Sequence, residues 1–368
     1  MKLFLLIFSF IGVLSGFFIF RPVVLPKKLP KVHEKLNKKI SVIIPARNEE
    51  KNLPYLLESL QRQTKIPDEI IVVNDHSEDR TKEIAMQFPV KLIDLSPIPP
   101  GWLGKTWALW NGYLHSSGEI LIFLDCDVRL SERAIETLIE AREQLQGAIS
   151  VVPFHKAEKF YEKLAMITNI LGLFSFFSPI ERKNTIKGLY GSCIVILRED
   201  YEAIGGHKSV KSEIVEDMCL GMTLGEAGIS VTNFLGKDFV SFRMYPDGIK
   251  SELEGFAKSA ALSIGNISKG TIFFIVLWIL GLFISEMVIF LFATEWFIPL
   301  AVGYILYIFQ IFYMNKYTGN FGLTVPIFHF LSFIFFIIML VYSTYQSSVR
   351  KAVIWKGRTI QVGRREVE

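Results

Sequence analysis

The sequence predicts an α/β domain with a mostly parallel sheet, flanked by hydrophobic segments that are long enough to enter a membrane. Two observations carry this prediction. Short apolar runs alternate with helical stretches between residues 39 and 247, which is typical of a parallel sheet covered on both faces. Much of the remaining hydrophobic sequence collects at Leu3–Phe20 and Thr271–Tyr345, and runs of about 20 apolar residues are typical of membrane spans.

The predicted strands and helices alternate along the chain. Strands are predicted at Ile40–Ile44, Glu69–Val73, Val90–Ile93, Ile120–Leu124, Ala148–Val152 and Gly188–Leu197. Helices are predicted at Glu49–Gln63, Asp79–Phe88, Lys105–Ser116, Ser131–Leu145, Lys156–Phe177, Glu216–Ala227 and Gly248–Ile264. The helical assignments rest on apolar residues spaced three and four apart. The last helix has an amphipathic pattern, which favours a position at a membrane surface.

The hydrophobic ends indicate a membrane protein. The chain is 51% hydrophobic, and the 75 residues from 271 to 345 include three charged ones, Glu286, Glu295 and Lys316. Seven lysines and arginines lie between Arg21 and Lys39, which by the positive-inside rule places the following domain in the cytoplasm. An uncleaved anchor is favoured over a signal peptide for the N-terminal segment, because no small-residue cleavage site follows it.

The C-terminal hydrophobic region contains three candidate spans. They lie near Thr271–Ala293, Phe297–Tyr313 and Leu323–Tyr345. The basic tail beyond them is expected on the cytoplasmic side, which requires an even number of crossings between the cytoplasmic domain and the tail, unless the tail breaks the rule. The sequence therefore leaves open whether two or three of these segments cross the membrane.

Composition excludes several classes of protein. The net charge of +4 comes without a basic stripe interleaved with aromatic residues, so a nucleic-acid partner is not expected. The three cysteines, Cys126, Cys193 and Cys219, are widely spaced. Their spacing favours neither a zinc site nor a disulfide framework.

Acidic residues follow three of the predicted strands. Asp125 and Asp127 follow the fourth strand, Asp75 follows the second, and Arg47 and Glu49 follow the first. Taken singly, the acidic residues have an ordinary explanation as turn or helix-start residues. Ligands in open α/β sheets bind beyond the carboxyl ends of the strands, and paired carboxylates suit a hard divalent cation that carries phosphates. Three such loops together favour a binding site.

These motifs resemble the GT-A domain of family 2 glycosyltransferases. The matching segments are Ser-Val-Ile-Ile-Pro-Ala-Arg-Asn-Glu-Glu at 41–50, Val-Val-Asn-Asp-His-Ser-Glu-Asp at 72–79 and Asp-Cys-Asp at 125–127. The resemblance implies a Rossmann-like nucleotide-sugar-binding fold. It implies that the uracil of a UDP-sugar contacts Pro45, Arg47, Glu49 and Asp75. It also implies that Asp125 and Asp127 flank the diphosphate and bind Mg²⁺ or Mn²⁺, with Asp127 the main ligand.

The resemblance extends to the catalytic step. Glu216-Asp217 matches an acidic pair at a helix start in which the second acid is the base, although a helix N-terminus alone also favours acids. Asp217 would remove a proton from a hydroxyl acceptor, with inversion at the sugar. A carboxylate acceptor is already ionised at neutral pH, which would leave Asp217 a positioning role.

Two cations are candidates for stabilising the leaving diphosphate, Lys105 and Arg243. An exposed helix position is the ordinary explanation for Lys105. Arg243 lies in Val-Ser-Phe-Arg-Met at 240–244, where the broader family often has Gln-x-x-Arg-Trp. This departure makes the role of Arg243 less secure than that of the acidic residues.

A finer resemblance is to bacterial carotenoid glycosyltransferases of the staphyloxanthin pathway, which glucosylate diaponeurosporenoate. It is carried by Gly-Trp-Leu-Gly-Lys-Thr-Trp-Ala at 101–108, Gly-Gly-His-Lys-Ser at 205–209, Phe-Arg-Met-Tyr at 242–245 and Val-Ile-Trp-Lys-Gly-Arg at 353–358. It implies UDP-glucose, or another UDP-hexose, as donor and a membrane-embedded lipid such as a carotenoid carboxylate as acceptor. Candidate acceptor-side or interface residues are His207, Tyr245, Trp355 and Arg358.

The predicted organisation has six segments. They are a transmembrane anchor (1–22), a basic linker (23–38), the GT-A domain (39–247), an amphipathic interfacial helix (248–268), a membrane bundle (269–346) and a basic cytoplasmic tail (347–368). The predicted function is inverting transfer of a hexose to a lipophilic acceptor at the bilayer. Ceramide, diacylglycerol, hopanoid and polyprenyl phosphate remain alternative acceptors, and a non-catalytic membrane scaffold or lipid transporter is the rival from another class.

Overall fold

The computed structural model describes residues 2–26, 38–184, 186–263, 267–291, 293–346, 352–355 and 358–361. Most of the predicted basic linker and basic tail lie outside these residues. The chain divides into two compact units. One, the sheet unit, contains residues 23–155 and 184–243, and the other, the helical unit, contains residues 1–22, 156–183 and 244–368.

The strands follow the predicted order, with short additions. They are β1 (Ile40–Ala46), β2 (Glu69–Asn74), β3 (Lys91–Asp94), β4 (Ile120–Leu124), β5 (Val128–Leu130), β6 (Ala148–Val152), β7 (Phe154–Lys156), β8 (Cys193–Leu197), β9 (Val231–Leu235), β10 (Val240–Phe242), β11 (Gly319–Asn320), β12 (Ala352–Trp355) and β13 (Arg358–Gln361). The strand predicted from Gly188 begins only at Cys193.

The helices include every predicted one. They are α1 (Lys2–Ile19), α2 (Leu53–Gln61), α3 (Thr81–Ala85), α4 (Gly104–Leu114), α5 (Ala134–Leu145), α6 (Phe160–Leu164), α7 (Met166–Phe177), α8 (Pro179–Lys183), α9 (Arg198–Ala203), α10 (Glu216–Glu226), α11 (Ile249–Ser263), α12 (Lys269–Glu286), α13 (Phe297–Thr318), α14 (Thr324–Ile327) and α15 (His329–Tyr345). The helix predicted at Lys156–Phe177 is divided at Ala165 into α6 and α7.

The sheet unit is built on a seven-stranded mixed sheet in the order β3-β2-β1-β4-β8-β6-β9. Strands β1 to β4 pair in parallel, as predicted. Strand β8 runs antiparallel to both of its neighbours, β4 and β6. A smaller sheet pairs β10 with β5 and β7.

The core of the sheet unit lies on both faces of the large sheet. All five residues of β4 are buried, and successive side chains of a strand point to opposite faces. Ile120 and Ile122 pack in a cluster with residues of α2 and α5, whereas Leu121 and Phe123 pack in a second cluster that includes residues of α10. Burial on both faces explains why β4 is a continuous apolar run.

The helical unit holds the long apolar helices. By length and composition, two helices in the described part of the chain could cross a membrane: Lys269–Ile289, of 21 residues, and Phe297–Thr318, of 22. Leu3–Ile19 and His329–Tyr345 are shorter apolar helices, so the N-terminal anchor stays a prediction. Within the unit, α1 and α12 approach closely at Gly12, where an added Cβ would lie 2.9 Å from the Cα of Gly281.

Several buried polar side chains of the apolar helices are paired across helices. Trp278 Nε1 donates to Gln310 Oε1 at 2.8 Å, and Gln310 Nε2 donates to the carbonyl of Val13 at 2.6 Å. Glu286, the acidic residue inside a predicted span, pairs with His329 Nδ1. Such pairing lowers the cost of burying a charge among apolar helices.

Candidate active site

The candidate site lies at one edge of the large sheet, where the predicted acidic loops meet. The carboxyl ends of β1 and β2 are in register, with Ala46 opposite Asn74. Leu124, at the end of β4, is opposite Cys193, at the start of β8. Because β8 is antiparallel, the segment before it reaches the same edge as the loops after β1, β2 and β4.

The loops after β1 and β2 are locked together by hydrogen bonds. Arg47 Nη1 donates to the carbonyl of Asp75 at 3.2 Å, and the Asp75 amide donates to the carbonyl of Ala46 at 2.8 Å. The Glu49 amide donates to Thr81 Oγ1 at 2.7 Å. Asp75 is buried, with 4% of its surface exposed. The structure thus brings together Pro45, Arg47, Glu49 and Asp75, the four residues predicted to contact the nucleotide base.

The acidic pair follows β4 in a tight turn into β5. The Asp125 amide donates to the carbonyl of Ser192 at 3.0 Å, and the Val128 amide donates to the carbonyl of Asp125 at 3.2 Å. The Arg243 amide donates to the carbonyl of Asp127 at 3.3 Å, next to the pairing of β5 with β10. The backbone of Arg243 therefore lies beside Asp127, and the role of its side chain stays a prediction.

Lys105, in the first turn of α4, joins the two acidic motifs. Its Nζ is 3.0 Å from Asp125 Oδ1 and 3.0 Å from Glu216 Oε1. Burial by itself lowers the pKa of Lys105, but the carboxylates of Asp125, Glu216 and Asp217 outweigh it and raise that pKa well above its usual value. Lys105 is thus a fixed positive charge inside the site, and it is not an ordinary exposed helix residue.

Asp217, in the first turn of α10, is held by backbone amides. The Gly191 amide donates to its Oδ2 at 2.7 Å, and the Met218 amide donates to its Oδ1 at 2.9 Å. Burial and the neighbouring Glu216 raise the pKa of Asp217 to about 6, against the opposing effect of Lys105. A carboxylate with its pKa raised toward neutrality suits proton transfer near pH 7.

Tyr190 is a site residue that the sequence did not reveal. Burial raises the pKa of its phenol, and the negative charges of Asp127, Asp217 and Asp125 raise it further. The phenol therefore stays protonated within electrostatic reach of all three acids. Nothing in the local pattern marks Tyr190, because it precedes β8 in a segment whose place at the sheet edge depends on the strand order.

The remaining predicted residues are less central to this cluster. His207 is 1% exposed, and its Nδ1 lies 2.8 Å from the hydroxyl of Tyr201. Burial, with the charge of Lys105, lowers the pKa of His207 to about 3, so its ring is neutral. Tyr245 lies in the helical unit, where its carbonyl accepts from the hydroxyl of Tyr161 at 3.0 Å. Trp355 and Arg358 belong to strands β12 and β13, but their side chains lie outside the described part.

The donor set is suited to a hard cation that a substrate shares. Among the described residues, no group of three or more His, Cys, Asp or Glu side chains could hold a metal ion alone. Asp125 and Asp127 offer carboxylate oxygens, the ligands that Mg²⁺ and Mn²⁺ prefer. Mg²⁺ is often held by one or two carboxylates with substrate phosphates and water as the other ligands. The acidic pair fits such a metal.

Comparisons with known proteins agree with this geometry. The model of glycosyl transferase family 2 matches residues 41–205. The 4,4'-diaponeurosporenoate glycosyltransferase of Staphylococcus aureus strain USA300 is 33% identical over 340 residues, which cover 90% of each chain. The same enzyme of the bovine strain RF122 / ET3-1 is 33% identical over 342 residues, with 90% of each chain covered.

A solved structure shares the fold. The mannosyltransferase PcManGT from Pyrobaculum calidifontis, solved in complex with GDP-Man and Mn²⁺, superimposes with a TM-score of 0.56. The match covers 95% of this chain and 98% of that chain at 14% sequence identity. The fold is therefore GT-A, as predicted. The chain belongs to glycosyltransferase family 2 and is, by homology, a glycosyltransferase of the carotenoid glycosyltransferase type.

Proposed function

We propose that this enzyme transfers glucose from UDP-glucose to a lipophilic carboxylic acid of the carotenoid class. The observation that carries the proposal is the similarity to 4,4'-diaponeurosporenoate glycosyltransferases, which extends over 90% of both chains. It therefore includes the apolar helices as well as the sheet unit. Such helices suit an enzyme whose acceptor is dissolved in the bilayer.

The proposed donor site is the edge formed by the loops after β1, β2 and β4. Arg47, Glu49 and Asp75 contact the base of the nucleotide, and Asp125 and Asp127 hold a divalent metal with the diphosphate. Lys105 supports this arrangement, because its ammonium already lies 3.0 Å from Asp125. A bound metal would neutralise part of the charge that develops on the leaving diphosphate.

The proposed reaction is a direct displacement at the anomeric carbon of the sugar. An acceptor oxygen forms the new bond to that carbon while the bond to the diphosphate breaks, and UDP leaves with the electron pair. Asp217 takes the proton of a hydroxyl acceptor, whereas a carboxylate acceptor brings no proton and Asp217 orients it. Lys105 and Arg243 stabilise the departing charge.

The proposed location is the cytoplasmic membrane, with several spans and the sheet unit in the cytoplasm. It is supported by the two helices that are long enough to cross a bilayer and by the seven basic residues between Arg21 and Lys39. These basic residues would lie at the inner surface, where anionic lipids attract them.

Product analysis tests the proposal. Full-length protein in bilayers receives isotope-labelled UDP-glucose, UDP-galactose or GDP-mannose, Mn²⁺, and a carotenoid carboxylic acid, a diacylglycerol or a ceramide. We expect a labelled, lipid-soluble glucose ester that forms only with UDP-glucose and the carotenoid acid. Asp127→Asn should abolish it, whereas Glu226→Gln, an exposed acid at the end of α10, should not. A product from another lipid, or a water-soluble product, would overturn the proposed acceptor.

A further inference from the structure

The segment Gly188–Gly191, which leads into β8, is held from two sides. We propose that Ser150 and Asn233 are positioning residues that orient the Asp217 carboxylate through this segment. The inference rests on the proposed function, because it gives both residues a part in the step that Asp217 serves.

The first set of hydrogen bonds to the segment comes from the sheet. Ser150 of β6 and Asn233 of β9 are opposite each other in register, and their side chains, Ser150 Oγ and Asn233 Oδ1, lie 2.5 Å apart. Asn233 Nδ2 donates to the carbonyl of Gly188 at 3.0 Å, and the Tyr190 amide donates to Ser150 Oγ at 3.0 Å. These bonds fix all the roles: the serine hydroxyl donates to the asparagine oxygen and accepts from the amide.

The second set comes from the start of α10. The Gly191 amide donates to Asp217 Oδ2 at 2.7 Å, and the Leu189 amide donates to the Asp217 carbonyl at 3.3 Å. The fit is close, because a Cβ on Gly191 would lie 2.7 Å from Asp217 Oδ2. Glycine is therefore required where the segment meets the carboxylate.

The two sets of bonds alternate along the segment. Residues 188 and 190 bond to the sheet side chains, and residues 189 and 191 bond to Asp217. The Gly188 carbonyl and the Leu189 amide belong to one peptide group, and the peptide groups of the Tyr190 and Gly191 amides follow each other directly. A displacement of the segment toward or away from the sheet must therefore move the two amides that bond to Asp217. Ser150 is fully buried, so water cannot easily replace its hydroxyl when it is removed.

The expected consequence is a loss of turnover without a loss of donor binding. Ser150→Ala leaves the Tyr190 amide and the Asn233 oxygen without their partner and releases the segment. A shift of about 1 Å in a catalytic group can cost as much as about 100-fold in rate. We expect kcat of Ser150→Ala to fall by about tenfold or more and the KM for UDP-glucose to stay within about twofold of wild type.

Ser41 offers a matched control on the same sheet. It is also fully buried, accepts the Gly118 amide at 2.7 Å and donates to Glu69 Oε1 at 2.6 Å. Its bonds support the turn before β4, at the opposite end of the strands from the site. Ser41→Ala should lower the melting temperature about as much as Ser150→Ala does, with kcat near wild type.

A second variant guards against misfolding of Ser150→Ala. Asn233→Asp keeps the oxygen that accepts the serine hydroxyl and removes the donor to Gly188, and it should also lower kcat while the donor KM is retained. Equal kcat in Ser150→Ala and Ser41→Ala, or wild-type kcat in Asn233→Asp, would overturn the inference. Failure of the proposed function is separate, because it would appear with the wild-type protein, as a product other than the glucose ester of the carotenoid acid.

Discussion

At the scale of single residues, the site places ionisable groups where burial and neighbouring charges together determine the charge of each. Asp217 is held by two backbone amides and faces Lys105, yet burial and Glu216 raise its pKa to about 6. Lys105 keeps its charge because three carboxylates surround it. Resemblance predicted Asp217, and the charge of the leaving group predicted a cation such as Lys105. The contact of Lys105 with Glu216, next to Asp217, depends on α4 and α10 meeting at the sheet edge.

Asp217→Asn should abolish most of the transfer, and its melting temperature should rise relative to that of wild type as pH increases toward neutrality. The folded protein binds the Asp217 proton more tightly than the unfolded chain does, so ionisation lowers the free energy of unfolding as pH rises from about 4 to about 6. Asparagine cannot ionise, so the advantage in melting temperature should grow across this range and then level off. Melting curves of wild type and Asp217→Asn over this pH range, recorded without metal or donor, measure the difference.

The activity of the same variant completes this prediction. We expect kcat to fall by as much as about 100-fold, because Asp217 orients the carboxylate acceptor and a misplacement of about 1 Å can cost that much in rate. A variant with wild-type turnover would exclude Asp217 from the reaction. An advantage in melting temperature that shrinks as pH rises would contradict the sign of the pKa shift.

At the scale of elements, α10 meets the site through its tight packing against the segment before β8. A Cβ on Gly221 would lie 2.4 Å from the Leu189 amide nitrogen and 2.6 Å from the Lys187 carbonyl oxygen. Both of these atoms belong to the backbone, which cannot move aside as the end of a flexible side chain can. The helix therefore approaches as closely as a glycine allows.

Gly221→Ala should destabilise the protein although alanine favours helices. The added methyl group must push α10 away from Leu189, at a cost of about 1–3 kcal/mol in the free energy of unfolding. Gly172→Ala, in α7, is the matched control, because no atom of the described residues lies within 4 Å of its added Cβ. The free energy of unfolding of this control should rise by about 0.5–1 kcal/mol. Equal stability of the two variants in denaturant titrations would refute the proposed packing constraint.

Helix α11 contains a buried acid of a different kind. Glu252 is fully buried, and within the described part of the chain neither of its carboxylate oxygens has a hydrogen-bond partner. Burial, with the nearby Glu162, raises the pKa of Glu252 to about 8. The carboxyl group is therefore mostly protonated at neutral pH, and its ionisation at higher pH works against the packing of α11.

Glu252→Gln should stabilise the protein increasingly as pH rises. The pKa of Glu252 in the folded protein exceeds the ordinary value of 4.5. The free energy of unfolding of the wild type should therefore fall between about pH 4.5 and pH 8, whereas that of the variant should not fall for this reason. Melting temperatures of the two proteins over this range test the prediction. Glu254→Gln, on the same helix, controls for the loss of a carboxylate from α11. A difference in melting temperature between wild type and Glu252→Gln that is the same at every pH would contradict the prediction.

At the scale of the whole molecule, the sequence predicted the architecture better than its details. Strands β1, β2 and β4 were predictable because each contains an apolar run followed by polar loop residues. The direction of β8 was not, because an apolar run carries no information about which way it lies. Strands β5, β7 and β10 have three residues each, too few for a periodic signal.

The same distinction holds for the candidate site. Asp75, Asp125 and Asp127 were recognisable because they follow strands directly, and parallel strands bring such positions to one edge. Ser150 and Asn233 were not recognisable, because they lie inside strands that are far apart in the sequence and meet only through strand order. Resemblance therefore found the residues of known type, and tertiary structure was needed for those that support them.

The most direct test of the central claim is the affinity for UDP measured by calorimetry with and without Mn²⁺. If the loops after β1, β2 and β4 form one metal-dependent nucleotide site, Asp75→Asn and Asp127→Asn should each weaken binding by at least about tenfold, as expected when a charged contact is lost. Glu226→Gln should bind as wild type does. Removal of Mn²⁺ should weaken wild type and leave Asp127→Asn little changed. Equally tight, metal-independent UDP binding by all the proteins would contradict the account.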